Sequence, residues 1–185
     1  MENPFRATVL LLAFCGTTAQ ADVSSASSGG FVTANEVIIN ADRTVVWIAA
    51  VNRIGQWWSS DHTVSGDASR LSIATEPLGC FCEQLDNGGS VVHLTVTMIN
   101  PAVIIRLTGG LGPLGLMGVN GNMTWEFEDT DGATRVRFTY AVGGYRPDGL
   151  DGIADPVDAV IAEALARLKN FVETGEADSV DAGRY

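Results

Sequence analysis

The chain has 185 residues, a formal net charge of −11 and 46% hydrophobic residues. That length fits one domain, and the apolar fraction can fill a core. The acidity excludes the basic face that nucleic acids or anionic membranes require, and its ordinary effect is solubility.

At the N-terminus, Arg6 precedes the apolar run Val9 to Phe14, and Ala19-Gln20-Ala21 fits a small-x-small cleavage pattern. The spacing predicts a secretory signal peptide over 1–21, too short to span a membrane. Phe14 is bulky where a lipid anchor at Cys15 would want a small residue. Cleavage near Ala21 would give an exported chain, periplasmic or secreted, with no stable membrane insertion. It would open on a flexible leader over 22–30, small and polar. Cleavage leaves Cys80 and Cys82. An oxidising compartment invites a disulfide, but two positions apart in one strand is a poor geometry for bonding to each other.

The domain is expected over 31–173. Phe31 to Asn40 carries Val32, Val37, Ile38 and Ile39 and reads as a strand. Ala41-Asp42-Arg43 opens a helix with Val45, Val46, Trp47, Ala49 and Ala50, and a second short turn covers Arg53 to Trp58. Residues 59–69 form a polar loop. Asp61-His62 lies in it with no serine elbow and no third partner, and reads as loop.

Gly79 to Leu85 and Ser90 to Ile99 flank Asp86-Asn87-Gly88-Gly89, a hairpin signal. With Asn87-Gly88 as the turn, Glu83 faces Val92, Phe81 faces Leu94 and Cys82 faces His93. Phe81 and Leu85 then share an apolar face with Val92, Leu94, Val96 and Met98. His93, Thr95 and Thr97 take the other face. A strand around Leu71 to Thr75 needs a longer connection than Pro77-Leu78, or a bulge, to bring Ile73 to the apolar face. After Asn100-Pro101, Val103, Ile105 and Leu107 alternate with Arg106 and Thr108.

The last hairpin checks itself. Asp131-Gly132 as the turn sets Phe127 opposite Val136, Trp125 opposite Phe138 and Met123 opposite Tyr140. On the reverse face Glu128 meets Arg135 and Glu126 meets Arg137. One face is apolar and the other pairs opposite charges, so a one-residue slip would destroy both patterns. Asp151 to Val172 reads as one long helix, with Asp155-Pro156 as a start signal and Gly175 past its end. Val157, Ile161, Ala164, Leu165, Leu168 and Val172 fall on one face, while Asp158, Glu163, Arg167 and Lys169 can be wet. An acidic tail follows over 174–185. The fold class is α+β, a run of antiparallel strands with a long C-terminal helix on one sheet face.

The motif order resembles the START-like superfamily, also called SRPBCC, which includes birch-pollen-allergen-like proteins and polyketide cyclases. It is most similar to the branch grouped with the C-terminal domain of the heat-shock ATPase activators. The markers are Ala41-Asp42-Arg43 with Val46-Trp47 and Ala50, then Trp57-Trp58-Ser59, Gly79-Cys80-Phe81-Cys82-Glu83, Thr124-Trp125-Glu126-Phe127 and Thr134-Arg135-Val136. The likeness spans roughly Phe31 to Val172 and implies a helix-grip fold. In that fold a curved sheet wraps the C-terminal helix around an apolar cavity. It also implies a small hydrophobic ligand such as a lipid or polyketide, no cofactor, and no universal catalytic set. The export signal and the glycine-rich stretch Gly109 to Gly121 depart from the pattern. Both count against a role as activator of a cytosolic chaperone.

Trp58, Phe81, Glu83, Leu94, Met123, Trp125, Phe138 and Tyr140 are the expected ligand-binding residues, some of them closed core. Glu83 lies among apolar neighbours, where desolvation would raise its pKa and suit it to move a proton; alternatively water or a backbone N–H satisfies it. Under an enzyme reading of cyclase, dehydratase or isomerase type, Glu83 is the acid or base and Tyr140 the hydrogen-bond donor. A third reading is an interaction module with a filled core. Cys80, Cys82 and His93 would share one face, but they lack a fourth ligand and the usual Cys spacing, so no metal is assigned. Gly110 to Gly115 matches a dinucleotide fingerprint without its crossover helix and is rejected. It is either a mobile apolar lid or a loop packed on the sheet. Asn122-Met123-Thr124 is a sequon lying in a predicted strand.

Overall fold

The computed structural model describes residues 20–178. The expected signal peptide lies outside the described residues except for Gln20 and Ala21. The strands are β1 (Gln20–Ser27), β2 (Gly30–Ile39), β3 (Leu71–Ile73), β4 (Cys80–Gln84), β5 (Ser90–Asn100), β6 (Ile104–Gly109), β7 (Val119–Thr130) and β8 (Ala133–Gly144). They form one antiparallel sheet in the order β1-β2-β8-β7-β6-β5-β4-β3. Residues 22–30, expected as a leader, instead contribute to this sheet. Ala21 to Val23 pair with Asn35 to Thr33, and a bulge follows. Small residues satisfy a strand whose backbone is paired on one side only.

Between β2 and β3 the chain forms two short helices, α1 (Arg43–Trp47) and α2 (Ile54–Trp57), joined by a wider π-type turn over Ile48–Asn52. Asp42 caps α1 by accepting from the Thr44 N–H at 2.8 Å. The long helix α3 (Ala154–Thr174) follows a 3₁₀ turn over Asp151–Ile153. It is about 30 Å long, and ends at Gly175, whose φ of 88° is the left-handed conformation that glycine adopts without penalty. Ile161, Ala164, Leu165 and Leu168 are buried, as their spacing predicts. Asp158, expected to be wet, is also buried and accepts from Asn35 Nδ2 on β2 at 2.8 Å. Helical periodicity places it one position beyond the apolar stripe, and a polar partner on the sheet draws it in. The first residues of the expected tail pack back on the helix, with Asp178 paired to Arg167. Among the described residues no helix is long and apolar enough to cross a membrane.

The β7–β8 register is the one the sequence predicts, from Phe127 opposite Val136 to Met123 opposite Tyr140. Its inner face carries the core. Trp125 stacks on Phe138 with centroids 4.3 Å apart, and Trp57, Trp58, Phe81 and His93 continue a chain of ring contacts at 5.4–6.2 Å. On the outer face Arg135 bridges Glu128 and Glu36.

The β4–β5 hairpin departs from expectation. Phe81 pairs with Leu94 as predicted, but Cys82 pairs with Val92 and Glu83 with Val91. His93 is the extra residue of a β-bulge, which breaks the alternation of faces. His93 is therefore buried on the inner face, and Val92 is 59% exposed. The loop is Asp86–Gly88, with Asn87 and Gly88 both at positive φ and the Leu85 N–H donating to Gly89. A second bulge between Val96 and Met98 turns Met98 outward. Cys80 and Cys82 are joined by a disulfide, contrary to the sequence expectation. Their Cα atoms lie 5.3 Å apart, against roughly 6.6 Å across two residues of regular strand; β4 contracts beside the bulge, which brings them within bridging range. The connection from Ala74 to Gly79 is long enough to pair Ile73 with Phe81.

Candidate functional site

A cavity of about 750 Å³ opens between the first turns of α3, the start of β5, the loop over residues 58–64 and the glycine-rich segment 110–117. Each wall has a local cause. α3 turns Val157, Val160 and Ile161 to it, the edge of its apolar stripe. The glycine-rich segment closes into a 3₁₀ turn over Gly112–Leu116, entered through Pro113, and contributes Leu111, Leu114, Leu116 and Met117. Val64, Val92 and Leu116 are large apolar side chains exposed around this cavity, one on each of three walls.

The glycine-rich wall is held by Tyr140. Its hydroxyl donates to the Gly109 carbonyl at 2.8 Å and accepts from the Leu111 N–H at 3.0 Å. Burial pushes this hydroxyl up to about 12, so it stays protonated. The reach depends on Gly121, where a Cβ would lie 2.5 Å from the Tyr140 ring. The Tyr140 hydroxyl is thus committed to backbone rather than aimed at a ligand.

Glu83 holds the opposite wall. Its side chain is fully buried, beneath the 58–64 loop. It accepts from the Val64 N–H at 3.0 Å, the Ser65 N–H at 2.5 Å and His93 Nε2 at 2.9 Å. Burial pushes the carboxyl up, but the bonds from Ser65, Val64 and His93 outweigh it and hold the group down to about 2. This corrects the expectation of a raised pKa. Desolvation acts as foreseen, but three donors aimed at the charged form prevail.

Of the residues expected to line the ligand space, Trp58 lines the cavity. Phe81, Leu94, Met123, Trp125, Phe138 and Tyr140 are closed core at 0–2% exposure. The alternation of β7 and β8 locates the inner face correctly, but α1, α2 and α3 fill the space over its centre. The open volume remains at the end of the sheet. His93, Asp61 and His62 line it as well. The fold brings His62 within 3.0 Å of Glu163 on α3, a contact between residues about a hundred positions apart that no local pattern reports. His93 carried one usable signal: the turn before it has four small or polar residues, which leaves the register there weakly fixed. The disulfide engages both cysteines, and among the described residues no group of His, Cys, Asp and Glu is placed to hold a metal.

No protein-family model and no curated protein matches the sequence. Solved structures do. The chain superposes on CalU16 from Micromonospora echinospora with a TM-score of 0.59 at 12% identity, over 88% of each chain. It superposes on Aha1 from Colwellia psychrerythraea with a TM-score of 0.54 at 20% identity, over 78% of this chain and 97% of that one. For Ara h 8.0201 the values are 0.55 and 14%, over 79% and 99%. These likenesses concern the fold, and they define the chain as an α+β helix-grip protein: a curved antiparallel sheet with a long C-terminal helix on its concave face.

Proposed function

We propose that this chain belongs to the START-like superfamily and binds a small hydrophobic molecule in the cavity beside α3. One observation carries the reading: a volume of about 750 Å³ with walls mostly of Leu, Val, Ile and Met. A space of that size and lining matches a small-molecule site. It also weighs against an interaction module, which would have its core filled. Apolar burial would supply the affinity, since each buried CH₂ contributes about 0.8 kcal/mol. The likeness to Aha1 supports the branch suggested by the motifs, without extending to that protein's role.

Native mass spectrometry on protein purified from its own host without detergent tests the binding. Extra mass released on denaturation is the expected result. Dye displacement follows: 1-aminoanthracene should bind the unmodified protein and lose at least tenfold in affinity in Val157→Trp, which fills the cavity from α3. Equal dye affinity in the two proteins would sink the reading.

Export belongs to the same proposal. The Cys80–Cys82 disulfide supports it, because such bonds persist in oxidising compartments. Fractionation of the host should recover a chain beginning near Asp22 outside the cytoplasm; full-length protein in the cytoplasm would refute it.

A further inference from the structure

We propose that His93 is a proton-transferring base in this cavity, positioned by Glu83, for a small apolar carbonyl compound with a mobile proton on carbon. The inference rests on the cavity being a binding site and adds a chemistry to it.

The geometry decides which ring nitrogen can act. His93 lines the cavity, its ring packs against Phe81, and its Nε2 lies 2.9 Å from Glu83. The Glu83 carboxylate also accepts the Val64 and Ser65 N–H groups, so it is fixed from two sides. An ionised carboxylate can only accept. In the neutral ring Nε2 must therefore carry the proton, and Nδ1 then keeps its lone pair. Nδ1 has no hydrogen-bond partner among the described residues. A carboxylate holding one imidazole nitrogen so that the other serves as base is the arrangement that orients histidine in acyl transfer. Here no serine or cysteine is among the residues that line the cavity, and Cys80 and Cys82 are bonded to each other. What remains is proton transfer.

The other titratable groups that face the cavity are Asp61 and His62, both exposed on the 58–64 loop, with His62 drawn to Glu163 of α3. The part of α3 that lines the cavity is Pro156, Val157, Val160 and Ile161, with Ile153 from the turn before it, and adds no charge. A neutral, apolar substrate fits such walls. In the step, Nδ1 takes the proton from the carbon beside the carbonyl, and the C–H electron pair becomes the double bond of an enolate. In a β,γ-unsaturated carbonyl compound that enolate is a dienolate, and the imidazolium, stabilised by Glu83, returns the proton to its far carbon, so that the C=C bond moves into conjugation with the carbonyl. The product is an isomer, and neither oxidant nor co-reactant is consumed.

Two measurements test this, one without any ligand. Long-range ¹H–¹⁵N correlation on the unmodified protein should show His93 as the Nε2–H tautomer, and Glu83→Gln should bring the Nδ1–H tautomer into the population. An Nδ1–H tautomer in the unmodified protein would overturn the proposal, whether or not any variant folds. The second uses 5-nitrobenzisoxazole, a neutral probe that gives up a carbon-bound proton as its N–O bond breaks, forming a coloured cyanophenolate. His93→Gln should lower its turnover by about 100-fold, the usual contribution of a general base. Glu83→Gln should lower kcat by about tenfold with KM little changed, as expected of a residue acting through the base. Displacement of 1-aminoanthracene by the probe separates the two readings. A probe that displaces the dye but turns over equally with and without His93 removes the catalytic proposal and leaves binding intact. A dye that never binds removes both.

Discussion

The β7–β8 and β4–β5 hairpins use the same alternation of apolar and polar residues, but one runs in unbroken register and the other carries an extra residue. In β7–β8 every side chain falls on its predicted face, and the result is closed core beneath and paired charge outside. In β4–β5 the bulge at His93 turns a polar residue inward and exposes Val92, and β4 beside it carries the Cys80–Cys82 disulfide. The regular hairpin supplies stability. The irregular one turns a titratable side chain toward the cavity, because a bulge aims a side chain against the pleat.

Substitutions can break this contrast, and the largest effect belongs to the regular hairpin. Trp125→Ala removes a fully buried ring stacked on Phe138, and should destabilise the fold by about 3–5 kcal/mol in urea titration, as large-to-small core changes do. Next comes Glu83→Gln. A carboxyl held down to about 2, from an ordinary 4.5, contributes stability that is complete above pH 4.5 and lost as pH falls toward 2. The contribution is up to about 3 kcal/mol. Acid unfolding of the unmodified chain should steepen in that window, and the Gln variant should lack the steepening. Equal acid profiles would show that Glu83 gains nothing from its three donors.

Tyr140→Phe sharpens the comparison within β8. It keeps the ring and strands the Gly109 carbonyl and Leu111 N–H. The cost should be about 1–2 kcal/mol, with faster hydrogen exchange at Leu111 and little change in β7–β8 amides. The smallest effect is expected on the outer face. Glu128→Gln breaks an exposed pair whose Arg135 keeps Glu36, and the Tm should hold within about 1 °C. A larger shift would mean that the outer ladder, and not only the inner face, fixes the register.

The same contrast explains what the sequence made legible. Where two independent patterns must agree, as at Trp125–Phe138 and Glu128–Arg135, the register is determined before any coordinates. The order of strands and the apolar stripe of α3 follow from similar redundancy, while the helix-grip layout is what the motif resemblance implies. At β4–β5 only one pattern was available, and a single inserted residue near the turn satisfies it almost as well. The inward turn of His93 was missed because it depends on that insertion. The strand formed by Gln20–Ser27 was missed because Ser and Ala signal no strand of their own and pair by following β2. Asp158 was missed because its partner, Asn35, is 123 positions away. The cavity was displaced from its expected floor because alternation gives a face and not the depth to which helices cover it.

The neighbours of β2 have a consequence for the order of folding. On one side it joins β1 through a short turn, but on the other it pairs with β8, about a hundred residues later, and α3 then anchors to it through Asn35. Contacts of such long sequence separation form slowly, since closure entropy must be overcome before they stabilise anything. During synthesis β2 therefore waits with one edge open until β8 has emerged, and the helix docks after that. Completion of the sheet is therefore expected as a late step, which refolding experiments should show as a slow phase in the β2–β8 amides.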